Sequence, residues 1–159
     1  MTTPDDLVWM RRALHLARMA EGCTSPNPMV GAVVVHEGSI IGEGYHLRAG
    51  TPHAEVHAIN AVKDRSLLPE STMYVSLEPC SHHGRTPPCT ELIIGSGIRS
   101  VVIGTTDTNP QVAGRGAERL RQAGVTVVTG VAEKECRHIN RRFFTWHEKK
   151  RPYVILKWA

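Results

Sequence analysis

Val30-Gly31-Ala32-Val33-Val34-Val35-His36-Glu37-Gly38-Ser39-Ile40-Ile41-Gly42-Glu43-Gly44-Tyr45 is the stretch that decides the fold. Val30 to Val35 is a short β-branched apolar run with no helical period, which reads as a buried strand. Glu37-Gly38 has the composition of a tight turn, and Ile40 to Tyr45 returns as a second strand, so the stretch predicts a hairpin. Upstream, Asp5 or Asp6 can cap an amphipathic helix through Leu7, Met10, Leu14 and Ala17, ending near Glu21-Gly22. A polar loop with two prolines, Thr24-Ser25-Pro26-Asn27-Pro28, separates that helix from the hairpin. Downstream, strands and helices alternate. Thr51-Pro52 reads as an N-cap with proline at the first helical position, opening a helix to about Lys63. Met73 to Leu77 is a strand, Thr86-Pro87 opens a helix closed by Gly95 and Gly97, and Val101 to Gly104 is a strand. A turn-rich loop from Asp107 to Gly116 precedes a helix over Ala117 to Ala123, a strand over Val125 to Val128 and a last helix from about Ala132 to Trp146. A hairpin followed by strand–helix alternation implies an α/β fold, with a mixed sheet covered by helices on both faces.

The 159 residues suit one domain of ordinary size, and 41% hydrophobic with 21% charged residues fit a globular protein in water. No apolar run approaches the roughly 18 residues of a membrane span, and the acidic Met1-Thr2-Thr3-Pro4-Asp5-Asp6 lacks a signal-peptide pattern. The four cysteines are therefore expected as cytoplasmic thiols or metal ligands rather than disulfides. A net charge of +4, scattered apart from Arg141-Arg142 and Lys149-Lys150-Arg151, argues against a nucleic-acid surface and is compatible with a phosphorylated small substrate. Pro152-Tyr153-Val154-Ile155-Leu156-Lys157-Trp158 has strand composition with nothing after it to pair with. Residues 1–148 are thus expected to form the domain and 149–159 a linker with the first strand of another, although an edge strand of the same domain has the same composition.

The chemistry lies in His53-Ala54-Glu55 and in Pro79-Cys80 with Cys89 beyond it. One imidazole and two thiols are three zinc-type ligands, and structural zinc sites normally need four whereas catalytic ones keep a position for water. His53, Cys80 and Cys89 are the candidate metal ligands, Zn²⁺ the expected cofactor, and Glu55 the candidate proton carrier for a metal-activated water. On a regular helix residues two apart point about 200° apart, so His53 and Glu55 can share a site only with His53 at the irregular helix edge. A redox use of Cys80 and Cys89 lacks the C-x-x-C spacing. Cys23 and Cys136 have no partner motif. Asn27, in its proline-bracketed loop, can offer both a donor and an acceptor to a ligand. His46, at the end of the second strand, is a further pocket candidate.

These motifs resemble the zinc deaminase superfamily, whose signature joins H-x-E to P-C-x-x-C. The longer insert Cys80-Ser81-His82-His83-Gly84-Arg85-Thr86-Pro87-Pro88-Cys89, entered through Leu77-Glu78-Pro79-Cys80, departs from that spacing. It resembles the deaminase half of the riboflavin-biosynthesis deaminase/reductase family. Asn27-Pro28-Met29-Val30-Gly31-Ala32-Val33, His53-Ala54-Glu55-Val56-His57-Ala58 and Asn109-Pro110-Gln111-Val112-Ala113-Gly114-Arg115-Gly116 agree with it. The resemblance implies a three-layer α/β/α cytidine deaminase-like fold. It also implies hydrolytic deamination of 2,5-diamino-6-ribosylamino-4(3H)-pyrimidinone 5′-phosphate, a cytoplasmic location and a homo-oligomer. Asn27 then belongs to the substrate pocket, and His82 and Arg85, on the loop between the two cysteines, can reach the ribose phosphate. Arg151-Pro152-Tyr153-Val154-Ile155-Leu156-Lys157 matches the junction to an NADPH-dependent reductase domain, so NADPH is expected only where that domain is present. Two alternatives stay open. A tRNA adenosine deaminase of the same superfamily would need an aromatic and basic surface, whereas Phe143, Phe144, Trp146 and Trp158 lie far along the chain from the zinc motifs. A non-enzymatic zinc-stabilised module would need a fourth protein ligand, for which His82 or His83 is the candidate.

Overall fold

A computed structural model describes residues 3–82, 87–108 and 113–158. Helix α1 (Pro4–Arg18) leads into the hairpin β1 (Gly31–His36) and β2 (Ser39–Tyr45), followed by α2 (Ala54–Ala61), a 3₁₀ turn (Arg65–Glu70) and β3 (Thr72–Leu77). Then come α3 (Cys89–Gly95), β4 (Ser100–Thr105), α4 (Arg115–Gln122), β5 (Thr126–Thr129), α5 (Glu133–Ile139) and α6 (Arg141–Lys149). The five strands form one sheet in the order β2-β1-β3-β4-β5. β1 runs antiparallel to both β2 and β3, whereas β3–β4 and β4–β5 are parallel, so the sheet is mixed as the alternation implies. One face carries Ala58, Ile59, Ile93 and Leu120 of α2, α3 and α4 against Val34, Val75 and Ile103. The other carries Met10, Leu14, Cys136 and Ile139 of α1 and α5 against Val33, Tyr74 and Val102. That is a three-layer α/β/α sandwich.

Several element ends differ from the sequence expectation. Thr3, not Asp5 or Asp6, caps α1: its hydroxyl accepts from the Asp6 N–H while the Asp6 carboxylate accepts from the Thr3 N–H. Asp6 also receives the Tyr74 hydroxyl at 2.9 Å, which pins the start of α1 to β3. The helix stops at Arg18 rather than near Gly22. The Thr51 hydroxyl donates to the Arg48 carbonyl instead of capping, and α2 begins two residues later with His53 as N-cap. The helix expected from Thr86-Pro87 begins at Cys89, with Thr86 outside the described residues. The single last helix expected over 132–146 is two, broken at Asn140, whose backbone (φ −101°, ψ 21°) leaves helical geometry. Pro152 to Trp158 forms no strand: among the described residues no strand pairs with it.

Helix α2 lies unusually close to β2, and glycine makes this possible. A Cβ on Gly44 would stand 2.4 Å from the His57 Cβ and 2.7 Å from the Ala58 nitrogen, and one on Gly42 would stand 2.3 Å from the Ala58 carbonyl oxygen. Since α2 carries Glu55, this approach sets the depth of the site. Gly44→Ala is expected to force the helix outward and cost about 1–3 kcal/mol, the usual price of overpacking. Urea unfolding measures it, and an unchanged midpoint would show that the helix can shift without loss.

Candidate metal centre and active site

The site is built where three element ends meet. His53 precedes α2 in extended conformation (φ −75°, ψ 167°), so its ring is not bound by helical periodicity and turns to the same side as Glu55. This is the irregular helix edge that the His53–Glu55 spacing demands. Cys80 follows β3 by way of Glu78-Pro79, and Cys89 is the first residue of α3. The Cys80 sulfur receives the Cys89 N–H at 3.3 Å, and the Thr90 N–H donates to the Cys80 carbonyl at 3.2 Å, which closes the long insert at its base.

His53 Nδ1 lies 3.7 Å from the Cys80 sulfur and 3.3 Å from the Cys89 sulfur. All three donor atoms fall within 4.8 Å of one another. The hydrogen bond from Cys89 holds the Cys80 thiol well below its ordinary range, and the same bond together with burial pushes Cys89 up. His53 is raised by its hydrogen bond to Cys80. A soft, anionic, three-donor set of this kind suits Zn²⁺, whose binding displaces such protons. Among the described residues the grouped donors number three; His82 is not one of them, and His83 lies outside the described residues.

Beside these donors opens a cavity of about 450 Å³. Asn27, His46, His53, Glu55, Cys80 and His82 all line it, so the structure brings together the candidates scattered over 27–82, with Cys89 buried just behind. Arg85, the remaining candidate, and Asn109 lie outside the described residues. Glu55 is 3% exposed, and burial raises its carboxyl above the ordinary range. His46 is equally buried, which lowers its imidazole. Its Nδ1 faces the Pro52 carbonyl at 3.2 Å and must donate to it, so Nε2 accepts from the Asn27 side-chain amide at 3.2 Å. The Asn27 amide is thereby oriented with its NH₂ toward His46 and its oxygen available to a ligand.

Two parts of the site escaped the sequence reading. Glu78, 4% exposed, accepts four backbone N–H groups: Asp107 (3.1 Å), Gly114 (2.9 Å), Gly116 (2.9 Å) and Ala117 (3.1 Å). It caps α4 from the end of β3 in place of Gly114, which has no side chain to do so. Phe143, Trp146 and His147 of α6 also line the cavity, although they lie far from the motifs in sequence. Their spacing of three and four residues puts them on one helix face, a signal that sequence distance from the zinc motifs hides.

The family model of the cytidine and deoxycytidylate deaminase zinc-binding region matches residues 3–105. Riboflavin biosynthesis protein RibD of Aquifex aeolicus is 53% identical over 154 residues, covering 97% of this chain and 43% of that protein. The diaminohydroxyphosphoribosylamino-pyrimidine deaminase of Buchnera aphidicola is 45% identical over 139 residues, covering 87% of this chain and 93% of that protein. Among solved structures, the diaminohydroxyphosphoribosylaminopyrimidine deaminase/5-amino-6-(5-phosphoribosylamino)uracil reductase of Thermotoga maritima superposes with a TM-score of 0.88 at 48% identity, over 94% of this chain and 43% of that one. The chain thus spans less than half the length of the Aquifex and Thermotoga proteins. The matched region contains His53, Cys80 and Cys89, and the three-layer fold is that of the matched structures. On these grounds the chain belongs to the cytidine and deoxycytidylate deaminase zinc-binding family, in the branch of the riboflavin-biosynthesis deaminases.

Proposed function

We propose that this chain deaminates 2,5-diamino-6-ribosylamino-4(3H)-pyrimidinone 5′-phosphate, with His53, Cys80 and Cys89 as zinc ligands and Glu55 as proton carrier. The observation that carries the proposal is a three-donor centre with a buried carboxylate beside it, opening on a cavity of about 450 Å³. The similarity to a Buchnera deaminase over most of both chains supports the choice of substrate.

Zinc in such a site acidifies water to a pKa of roughly 7 and so supplies a nucleophile at neutral pH. Glu55 accepts a proton from the attacking water on its carboxylate and delivers protons to the ring nitrogen and the departing amine. A C–O bond forms, the exocyclic C–N bond breaks, and ammonia leaves. The Asn27 oxygen, fixed by His46, accepts from the pyrimidine N–H edge. His82, on the loop after Cys80, and Arg85 are assigned to the ribose phosphate. The test is ammonia release by the zinc-loaded protein, with cytidine, adenosine and tRNA in parallel; release from the diaminopyrimidinone alone is expected, and release only from another substrate rejects the assignment.

The ligand set makes a separate prediction about thiols. Cys23 is exposed, whereas Cys136 is fully buried and pushed up to about 12 by that burial. In the zinc form a thiol reagent should titrate Cys23 alone. Chelation should add Cys80 and Cys89, and Cys136 should respond only on unfolding. Cys80 and Cys89 reacting at the same rate with and without zinc would remove them from the ligand set.

The proposal places the enzyme in the cytoplasm as a homo-oligomer acting on a phosphorylated small molecule. Among the described residues no helix is long and apolar enough to cross a membrane. Residues 149–159 are proposed as the linker and first strand of a reductase domain that would use NADPH. The 60% and 73% exposure of Ile155 and Leu156 supports this, because such residues are normally covered.

A further inference from the structure

Helix α6 reaches the cavity from the far end of the chain and is anchored there by Asn140. The Asn140 side chain, 4% exposed, accepts the Met29 N–H and donates to the Met29 carbonyl, both at 2.8 Å. A buried side-chain amide that satisfies both polar groups of one backbone residue is a rigid joint. Met29 ends the proline-bracketed loop that presents Asn27, so Asn140 locks the start of α6 to the loop carrying the proposed ring-binding amide. On the inner side Phe144 is buried, with the Arg137 guanidinium 4.3 Å over its ring, which fixes the rotation of the helix. The outer face consequently turns Phe143, Trp146 and His147 into the cavity. Phe143 and His147 stand 4.3 Å apart, centroid to centroid. Trp146 remains 58% exposed, a large indole left open to solvent at the rim of a cavity whose floor holds the metal donors.

We propose that Phe143 and Trp146 form a stacking wall for the planar pyrimidinone ring, with Asn140 as the positioning residue that keeps this wall in register with Asn27. A flat π-system held at its polar edge by one amide and at its reacting carbon by the metal centre still needs a contact on its face, and aromatic side chains supply it without competing for hydrogen bonds. The inference rests on the substrate reading given under the proposed function. Because the wall carries no acid, base or metal-ligating group, its loss should fall mainly on substrate affinity rather than on the chemical step.

The experiment measures ammonia release and tryptophan fluorescence for wild type, Trp146→Ala, Trp146→Phe and Phe143→Leu, all zinc-loaded, with the diaminopyrimidinone ribosyl phosphate. Trp146→Ala is expected to raise KM about tenfold with kcat within about twofold, and Trp146→Phe to restore most of the loss. In the wild type the ligand should quench fluorescence, and Trp146→Phe should abolish the quench despite the remaining Trp9 and Trp158. If the wild type turns over but KM stays within about twofold in both Trp146→Ala and Phe143→Leu, the wall is overturned and the substrate reading survives. A wild type that releases no ammonia but shows a Trp146-dependent quench keeps the wall and rejects the reaction. Neither turnover nor quench rejects both.

Discussion

Glu55→Gln is expected to leave a folded, zinc-binding protein whose kcat is lower by about three orders of magnitude, the middle of the range for losing a general acid–base group. Glutamine keeps the shape of the side chain and its acceptor oxygen but carries no proton through the reaction. The fold should tolerate the change. Glu55 is almost completely buried, and burial already disfavours its charged form, so a neutral amide of equal size removes a desolvation cost rather than adding one. Zinc content, thermal midpoint and kcat must be measured on the same preparation. Retained zinc and an unchanged midpoint with lost turnover separate the proton carrier from a structural carboxylate. Turnover within about tenfold of wild type would assign the proton transfer to another group.

The largest effect on stability is expected at Glu78. Its carboxylate takes four N–H groups, and those of Gly116 and Ala117 are buried. It also places a negative charge at the N-terminal end of α4, where the helix dipole favours it. Glu78→Ala leaves those donors without a partner and should lower unfolding free energy by about 3–5 kcal/mol, close to half the stability of an ordinary domain. Glu78→Gln should lose somewhat less, because one amide oxygen still accepts while the NH₂ opposes the other donors. Denaturant unfolding of the zinc-loaded protein gives both numbers. A loss under about 1 kcal/mol for the alanine variant would mean that the segment before α4 finds its hydrogen bonds elsewhere. Gly116 adds a steric constraint, since a Cβ there would stand 2.0 Å from the Pro79 carbonyl oxygen.

Both predictions show how unevenly the site could be read in advance. The grouping of His53, Cys80 and Cys89 beside Glu55 was legible because their residue types and spacing match metal and proton chemistry, and the strands were legible because β-branched runs have few other uses. The hairpin, the mixed sheet and its two helical layers follow from the same signal. The 3₁₀ turn over Arg65–Glu70 was not legible, since a six-residue segment with Pro69 inside it also fits a loop. The start of α2 was misplaced because Thr51-Pro52 has the composition of a cap while its hydroxyl is used locally. Asn140 was unreadable for the opposite reason: it looks like any helix residue, and only a partner 111 positions earlier makes it a break. Phe143 and Trp146 lie far from the zinc motifs in sequence, a distance the fold does not respect.

The position of β3 has a consequence for how metal binding depends on the folded core. In the sheet order β2-β1-β3-β4-β5, every ladder hydrogen bond between the antiparallel half and the parallel half passes through β3, and the strand delivers Cys80 as it leaves the sheet. His53 is supplied by the half that precedes it and Cys89 by the crossover that follows. His53, Cys80 and Cys89 therefore come together only where β3 is packed between elements that precede and follow it in the chain, so metal affinity should fall together with the folded core when either side of that packing is weakened.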